Sequence, residues 1–427
     1  MRPYHLMEKF GVEIEYAIVD RETCEVLPIA DELFAKLTGG PSGEFQDGEV
    51  SWSNELVNHV LELKTHVPVS SPAGVERAFH RSALFIDDTL AEFGAMLLPG
   101  AMHPFMRAET QTQIWEHEYA HVYHTYHRIY NCLRQGWANV QSAHLNISFQ
   151  TDEEFDQLHA AVRVLLPLIP ALAASSPIVE GRVTGFKDTR LDFYGRTQAC
   201  TPTIAGQVIP EPVFSEAEYE REIFSRIGDE IAPHDPDGVL NKYFLNHRGA
   251  IARFDRGSVE IRLVDAQECP RADVAILSLL IHTLRWMIAS CDLERLKAWR
   301  TDDLVELYVG MVRDGSAFVL HNAEYLSVFG IEADAMKARD VWVAIMNTCG
   351  QKEHRDFYHV YQKSGSLADR MLSSLPSAPT RGDLQALCQN LHKGLISNTL
   401  FTPKQTRPLQ NPRSLLSLAP TDHPQRT

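Results

Sequence analysis

The chain has 427 residues, of which 40 are Lys or Arg and 56 are Asp or Glu, for a formal net charge of −16 at pH 7. That balance argues against partners bound by coating nucleic acid phosphates or an anionic membrane surface. With 44% hydrophobic and 22% charged residues the composition is that of a globular protein with a large core, which excludes disorder throughout.

The first ten residues lead into an acidic motif before any apolar run develops, so no secretory signal is expected. The apolar stretches 164–174 and 274–281 are too short to span a bilayer. Seven dispersed cysteines, with no C-x-x-C pair, point to reduced thiols and a cytoplasmic protein.

Residues 10–19 alternate, with Val12, Ile14 and Tyr16 on one parity and Glu13 and Glu15 on the other, which predicts a strand. Residues 31–37 suggest a short helix stopped by Gly39-Gly40-Pro41, and 43–48 read as a turn. Residues 57–65 are extended, and 72–93 and 112–133 have helical periodicity. A strand follows at 143–149, then a helix over 153–175 that Pro167 and Pro170 should kink or break. Residues 176–236 lack a clear period, as functional or mobile loops do. Residues 254–264 are again strand-like and 271–370 mainly helical. Recurrent prolines after Leu375 divide the chain into one domain, 1–375, and a tail, 376–427, with one short helix at 382–395.

The charged residues are placed with some regularity. Glu13 and Glu15 project to one side of their strand about 7 Å apart and repel unless a cation lies between them. Glu55 and Glu62 are seven residues apart, an odd spacing that lets them converge only through a bend. His144, Asn146 and Ser148 share a strand face, as do Glu260 and Arg262. Arg248 and Arg253 add guanidiniums suited to bidentate recognition of phosphate or carboxylate. Each motif alone reads equally well as a solvated strand face or a local ion pair.

Their order, Gly-Val-Glu-Ile-Glu, Glu-x6-Glu, a strand His, Asn-x-Arg-x4-Arg and a late Val-Glu-Ile-Arg, resembles the glutamine synthetase and glutamate-cysteine ligase superfamily. It is most similar to the second glutamate-cysteine ligase family, the bacterial carboxylate-amine ligases. The resemblance runs from about residue 10 to about residue 281. It implies an α+β fold, a glutamine synthetase-like catalytic domain whose curved, mainly antiparallel sheet forms a funnel with helices on its outer face. It also implies ATP and Mg²⁺, or Mn²⁺, as cofactors, a small-molecule carboxylate (glutamate) and an amine as substrates, and it allows a homo-oligomer.

Matched position by position, the resemblance implies that Glu15, Glu55 and Glu62 hold one divalent ion and that Glu13, His144 and Glu260 hold the ion nearer the nucleotide phosphates. Arg248 and Arg262 would meet the transferred γ-phosphate, with Arg253 close by. Where family members commonly carry a second histidine, this chain has Asn146, placed to meet phosphate or substrate. The segment 176–190 resembles the family pattern as far as Gly185, and makes Arg182 and Arg190 candidates for the substrate carboxylate. Five carboxylates and an imidazole are a donor set for hard cations.

The activity implied is an ATP-dependent ligase forming an amide, γ-glutamyl in the family default, through an acyl phosphate. A guanidino-kinase type phosphotransferase on the same fold and a non-catalytic nucleotide- or metal-binding protein are the alternatives. His117, His121 and His124 recur at helical spacing with His127 at the margin, and read as a polar face rather than a zinc site. His103, in Ala101-Met-His-Pro-Phe105, reads as a loop brace. No P-loop, Rossmann fingerprint or nucleophile elbow occurs, so nucleotide binding must rest on metals and arginines.

Overall fold

The computed structural model describes residues 2–403. In chain order its strands are β1 (Phe10–Asp20), β2 (Glu44–Asp47), β3 (Val50–Asn54), β4 (Val60–Thr65), β5 (Ala95–Leu98), β6 (Ser142–Ser148), β7 (Ile178–Val179), β8 (Arg182–Val183), β9 (Ala250–Arg253), β10 (Ser258–Asp265), β11 (Val319–Leu320) and β12 (Met336–Lys337). Eight of them form one antiparallel sheet in the order β2-β3-β4-β1-β6-β10-β9, with β5 paired to the far half of β1. The α+β class with a large antiparallel sheet is thus as expected.

The alternation that marks β1, β6 and β10 gives this sheet two unlike faces. Val12, Ile14 and Tyr16, Leu145 and Ile147, and Val259 and Ile261 join one core with Phe79 and Ile86 of the helix Val75–Ala91, Leu158 of Asp152–Leu165 and Ile276 and Leu280 of Pro270–Ser290. The charged residues of the same strands are left on the opposite face. Asp152–Ala173 and Pro270–Ser290 are long and apolar enough to cross a membrane, but 89% and 72% of their apolar windows are buried inside the fold. They are core helices.

Along β1 the acidic face turns apolar at Ala17 and Val19. These pack with Met96, Leu98 and with Leu384, Leu387, Cys388 and Leu391 of the helix Arg381–Ser397. The short helix expected at 382–395 is therefore present and longer, and it is part of the fold rather than of a tail. Its end is tied down by Glu268, which receives a charge-assisted bond from buried Arg370 and the Phe401 N–H at 3.0 Å. Residues 404–427 of the expected tail lie outside the described residues.

Other local expectations shift for identifiable reasons. Residues 44–47 form β2, not a turn, because they pair with β3 while Phe45 stacks on Phe85 at 5.9 Å. The helix expected over 112–133 is confined to Ala120–Tyr130, since Ile114 bridges Val57 and Trp115 N–H bonds Leu56 O in extended conformation. The strand expected at 254–264 is one arm of the β9–β10 hairpin, and Gly257 turns the corner at φ +73°, where only glycine is unstrained. The helix over 153–175 breaks as expected, into Asp152–Leu165, a 3-10 turn Leu166–Leu168 and Ile169–Ala173. The aperiodic middle contains short helices, Thr189–Tyr194 and Pro202–Ala205, and a helical run over 216–231 capped by Ser215, which accepts from Glu218 N.

Candidate active site

Four adjacent strands, β4, β1, β6 and β10, carry one row of charged side chains across the polar face. Glu62 stands opposite Glu15, Glu13 opposite His144, and Asn146 opposite Glu260. Directly opposed residues in an antiparallel pair hold their Cβ atoms about 5 Å apart, so the register alone forces these groups together. The bend between β3 and β4 returns Glu55 toward Glu15 and Glu62, which resolves the odd spacing of that pair.

Hydrogen bonds knit the row. His144 Nδ1 lies 3.0 Å from Glu13 Oε2, and its Nε2 lies 2.8 Å from Ser142 Oγ. The Ser142 N–H and hydroxyl both donate to Glu15 Oε2, at 2.7 and 3.1 Å. Asn146 donates to Glu13 Oε1 at 3.3 Å and accepts from Ser258. On the flanks the contacts are ion pairs rather than hydrogen bonds, Lys64 Nζ 3.1 Å from Glu62 Oε1 and Arg262 Nε 3.2 Å from Glu260 Oε1.

Burial and mutual repulsion govern the ionisation of the row. Burial, with Glu15 and Glu62 nearby, pushes the Glu55 carboxyl well up, and burial with Glu13 raises that of Glu62 despite Lys64. For Glu13 burial acts upward, but the hydrogen bond and charge of His144, helped by Lys64 and Arg262, hold it below the usual carboxylate range. Burial opposes charge on His144, and the hydrogen bond to Glu13 together with the charges of Glu15 and Glu13 outweighs it.

Two groups of ligand atoms converge within 4.8 Å, namely Glu13, His144 and Glu260, and Glu15, Glu62 and His144. The first is the trio expected at the phosphate-side ion. The second contains two of the three carboxylates expected at the other ion, with Glu55 beside them. Oxygen-rich sites with one imidazole, whose carboxyls burial and mutual repulsion raise at Glu55 and Glu62, fit hard divalent cations.

The arginines divide. Arg262 borders the row, and Arg253 lies 3.9 Å from Glu260 with Asp255 on its other edge and the Tyr243 and Phe244 rings 5.3 and 5.7 Å away. Arg248 departs from the γ-phosphate role expected of it. It is buried and bound bidentately to Glu211 at 2.6 Å, and it donates further to Asn246 Oδ1 and to the Thr203 and Ile204 carbonyls, so every edge is occupied by protein. Arg182 is exposed on the β7–β8 hairpin, away from these contacts. Arg190 is buried, with one edge fixed by Asp265 and its remaining nitrogens 3.4 Å from the Arg262 carbonyl. Asp265 is itself held by the Ser175 N–H and the Ser176 hydroxyl.

Three aromatic residues near the row went unnoticed in the sequence: His247, Tyr194 and Trp137 form a stack beside Arg262 and Arg190. The histidines of the 112–133 segment do not converge. His117 faces Asp31 and His124 faces Glu116. His103 braces its loop as expected, its Nε2 2.8 Å from Cys24 O and its N–H bound to Asn139.

The model of "Glutamate-cysteine ligase family 2(GCS2)" matches residues 9–389. An uncharacterized protein of Archaeoglobus fulgidus is 33% identical over 393 residues, 92% of this chain and 99% of that one. A Rubrobacter xylanophilus protein provisionally named glutamate–cysteine ligase 2-1 is 27% identical over 274 residues, 63% of this chain and 64% of its own length. Among solved structures, glutamate–cysteine ligase of Francisella tularensis in complex with AMP superposes with a TM-score of 0.64 at 12% identity, covering 93% of this chain and 90% of that one. A bifunctional glutathione synthetase from Pasteurella multocida gives 0.53 at 13% identity, covering 91% of this chain and 53% of that one. Both share the fold.

Proposed function

The chain belongs to glutamate-cysteine ligase family 2, and on that premise we propose that it is an ATP-dependent ligase joining a small-molecule carboxylate, glutamate, to an amine through an acyl phosphate in the cytoplasm. The observation that carries this reading is the row Glu62, Glu15, Glu13, His144 and Glu260, bordered by Arg262 and Arg253. Glu13, His144 and Glu260 would hold one Mg²⁺ and Glu15, Glu55 and Glu62 another. Divalent ions there supply positive charge that neutralises the triphosphate of ATP and polarises the phosphoryl group.

The chain's own groups do the rest. Arg262 and Arg253 stabilise the phosphoryl group as it passes to the substrate carboxylate, and Asn146 keeps an amide at the phosphate side of Glu13. Arg190, its nitrogens held by Asp265 and the Arg262 carbonyl, supplies fixed positive charge toward a substrate carboxylate. The amine then attacks the acyl carbon and phosphate departs, a step carboxylates alone do not allow because hydroxide is a poor leaving group.

The test is an ADP-release screen of glutamate and related acids against a panel of amines, cysteine included, with Mg²⁺ and with products identified by mass. An amide of increased mass, formed with stoichiometric ADP, is expected. A stable phosphorylated product without amide favours the phosphotransferase, and ATP binding without ADP from any acid sinks the enzyme reading.

A further inference from the structure

His247 is held by stacking. Its ring lies 3.8 Å from that of Tyr194 at 18°, and Trp137 lies nearly parallel to it at 6.3 Å and 24°. Its backbone N–H is fixed to Ile204 O at 2.9 Å, and its neighbours Asn246 and Arg248 are buried and engaged with Tyr219 and Glu211. The ring is half-buried, so solvent and ligand can reach it. An imidazole fixed by stacking and still reachable can exchange a proton with a molecule bound beside it.

The charged and titratable groups facing it are Arg262 of β10, Arg190 of the helix Thr189–Tyr194 and His144 of β6. Burial and these neighbours hold the ring well below the usual histidine range, so it waits with a lone pair available. An acyl phosphate bound against Arg262 brings negative charge to the same place and favours a proton on the ring at the moment one is released.

We propose that His247 is the general base of amide formation, accepting the proton that the amine sheds as it attacks the acyl phosphate. This rests on the ligase reading above. The nitrogen lone pair forms the C–N bond, the C–O bond to phosphate breaks and its electron pair leaves with phosphate, and the amine proton passes to a ring nitrogen and then to water. Tyr194 is a positioning residue that fixes the ring by stacking.

Two nucleophiles separate this role from a structural one. Hydroxylamine is largely unprotonated at neutral pH and traps the acyl phosphate as a hydroxamate with little need of a base, whereas an ordinary amine such as cysteine needs one. With ATP, Mg²⁺ and glutamate, His247→Asn should lose about 10²-fold in amide formation at pH 7 while hydroxamate formation stays close to wild type, and the amide rate should recover as pH rises. His247→Gln, closer in bulk to the imidazole, should behave alike. Amide and hydroxamate rates falling together at every pH, or neither falling, would overturn the assignment. Wild-type protein that yields neither ADP nor hydroxamate with any acid would instead sink the ligase reading.

Discussion

Glu13 and His144 face each other directly across the β1–β6 ladder, with His144 Nδ1 3.0 Å from Glu13 Oε2. The contact is a hydrogen bond between two groups of the Glu13, His144 and Glu260 trio that could hold a divalent ion, so metal binding there would exchange it for coordination. Elsewhere in the row, Glu55 has only acidic close partners in Glu15 and Glu62, with Lys64 and Arg262 acting more weakly. Metal-free Glu55→Gln should therefore be more stable than wild type at pH 8, by up to about 1.4 kcal/mol for each unit by which burial and repulsion raise the carboxyl. In saturating Mg²⁺ the order should reverse, because bound ligand stabilises wild type by about 3 kcal/mol at a hundredfold excess over Kd. Urea midpoints with and without Mg²⁺ measure both, and a variant indistinguishable from wild type in either condition contradicts the metal assignment.

Arg248 and Arg262 should separate cleanly by assay. Arg248 shares two 2.6 Å contacts with Glu211 and is buried, so Arg248→Met strands a carboxylate and should cost about 3 kcal/mol of stability, lessened to the extent that Glu211, 34% exposed, regains water. Arg262→Met leaves Glu260 without its 3.2 Å partner, so its urea midpoint should fall as well, but less than for Arg248→Met because Arg262 is 25% exposed, while ADP release drops at least 10²-fold. Equal stability loss in the two variants would show that the division drawn between them is wrong.

The difference between these arginines also marks what could be read from sequence. Strands β1, β6 and β10 announce themselves by alternation, and Glu13, Glu15, His144, Glu260 and Arg262 fall on one face because parity is local information. Convergence of Glu55 with Glu62 needed a bend, and Arg248 needed knowledge of Glu211, which approaches through an aperiodic segment. His247 lacked any periodic signal, since Tyr194 and Trp137 reach it from remote parts of the chain. The helical run over 216–231 did carry a signal, Ser215 followed by Glu218, with the Glu218 carboxylate accepting from Phe214 N at 2.8 Å. Prolines beyond Leu375 outweighed the leucine spacing of the helix Arg381–Ser397, whose apolar face is covered by β1 and β5.

That helix should matter to the active site through β1. Leu391 is buried among residues that include Ala17 and Val19, which continue the strand face bearing Glu13 and Glu15. Leu391→Ala should cost about 2–5 kcal/mol by leaving a cavity, read as a lower urea midpoint. If the row holds Mg²⁺ as proposed, adding Mg²⁺ should raise the variant's midpoint again. A substitution without effect on the midpoint would mean that the helix is dispensable packing.

Buried histidines set the acid limit of the fold. His59, His103 and His159 are almost wholly inaccessible, and burial lowers the first two to about 4 and the third, with Arg163 adding to it, to about 3. In the unfolded chain each titrates near 6.5. Below that value the unfolded state binds up to three protons that the folded state refuses, so ΔG of unfolding falls as pH drops, by up to about 4 kcal/mol per pH unit between 6.5 and 4. Above 6.5 these groups are neutral in both states and contribute no slope. His159 stacks on Phe155 at 5.0 Å, so His159→Phe keeps the aromatic contact and removes one titrating group. Urea midpoints taken from pH 7.5 down to pH 5 should show the acid slope reduced by up to about 1.4 kcal/mol per pH unit in that variant, and an unchanged slope would exclude His159 as a source of acid lability.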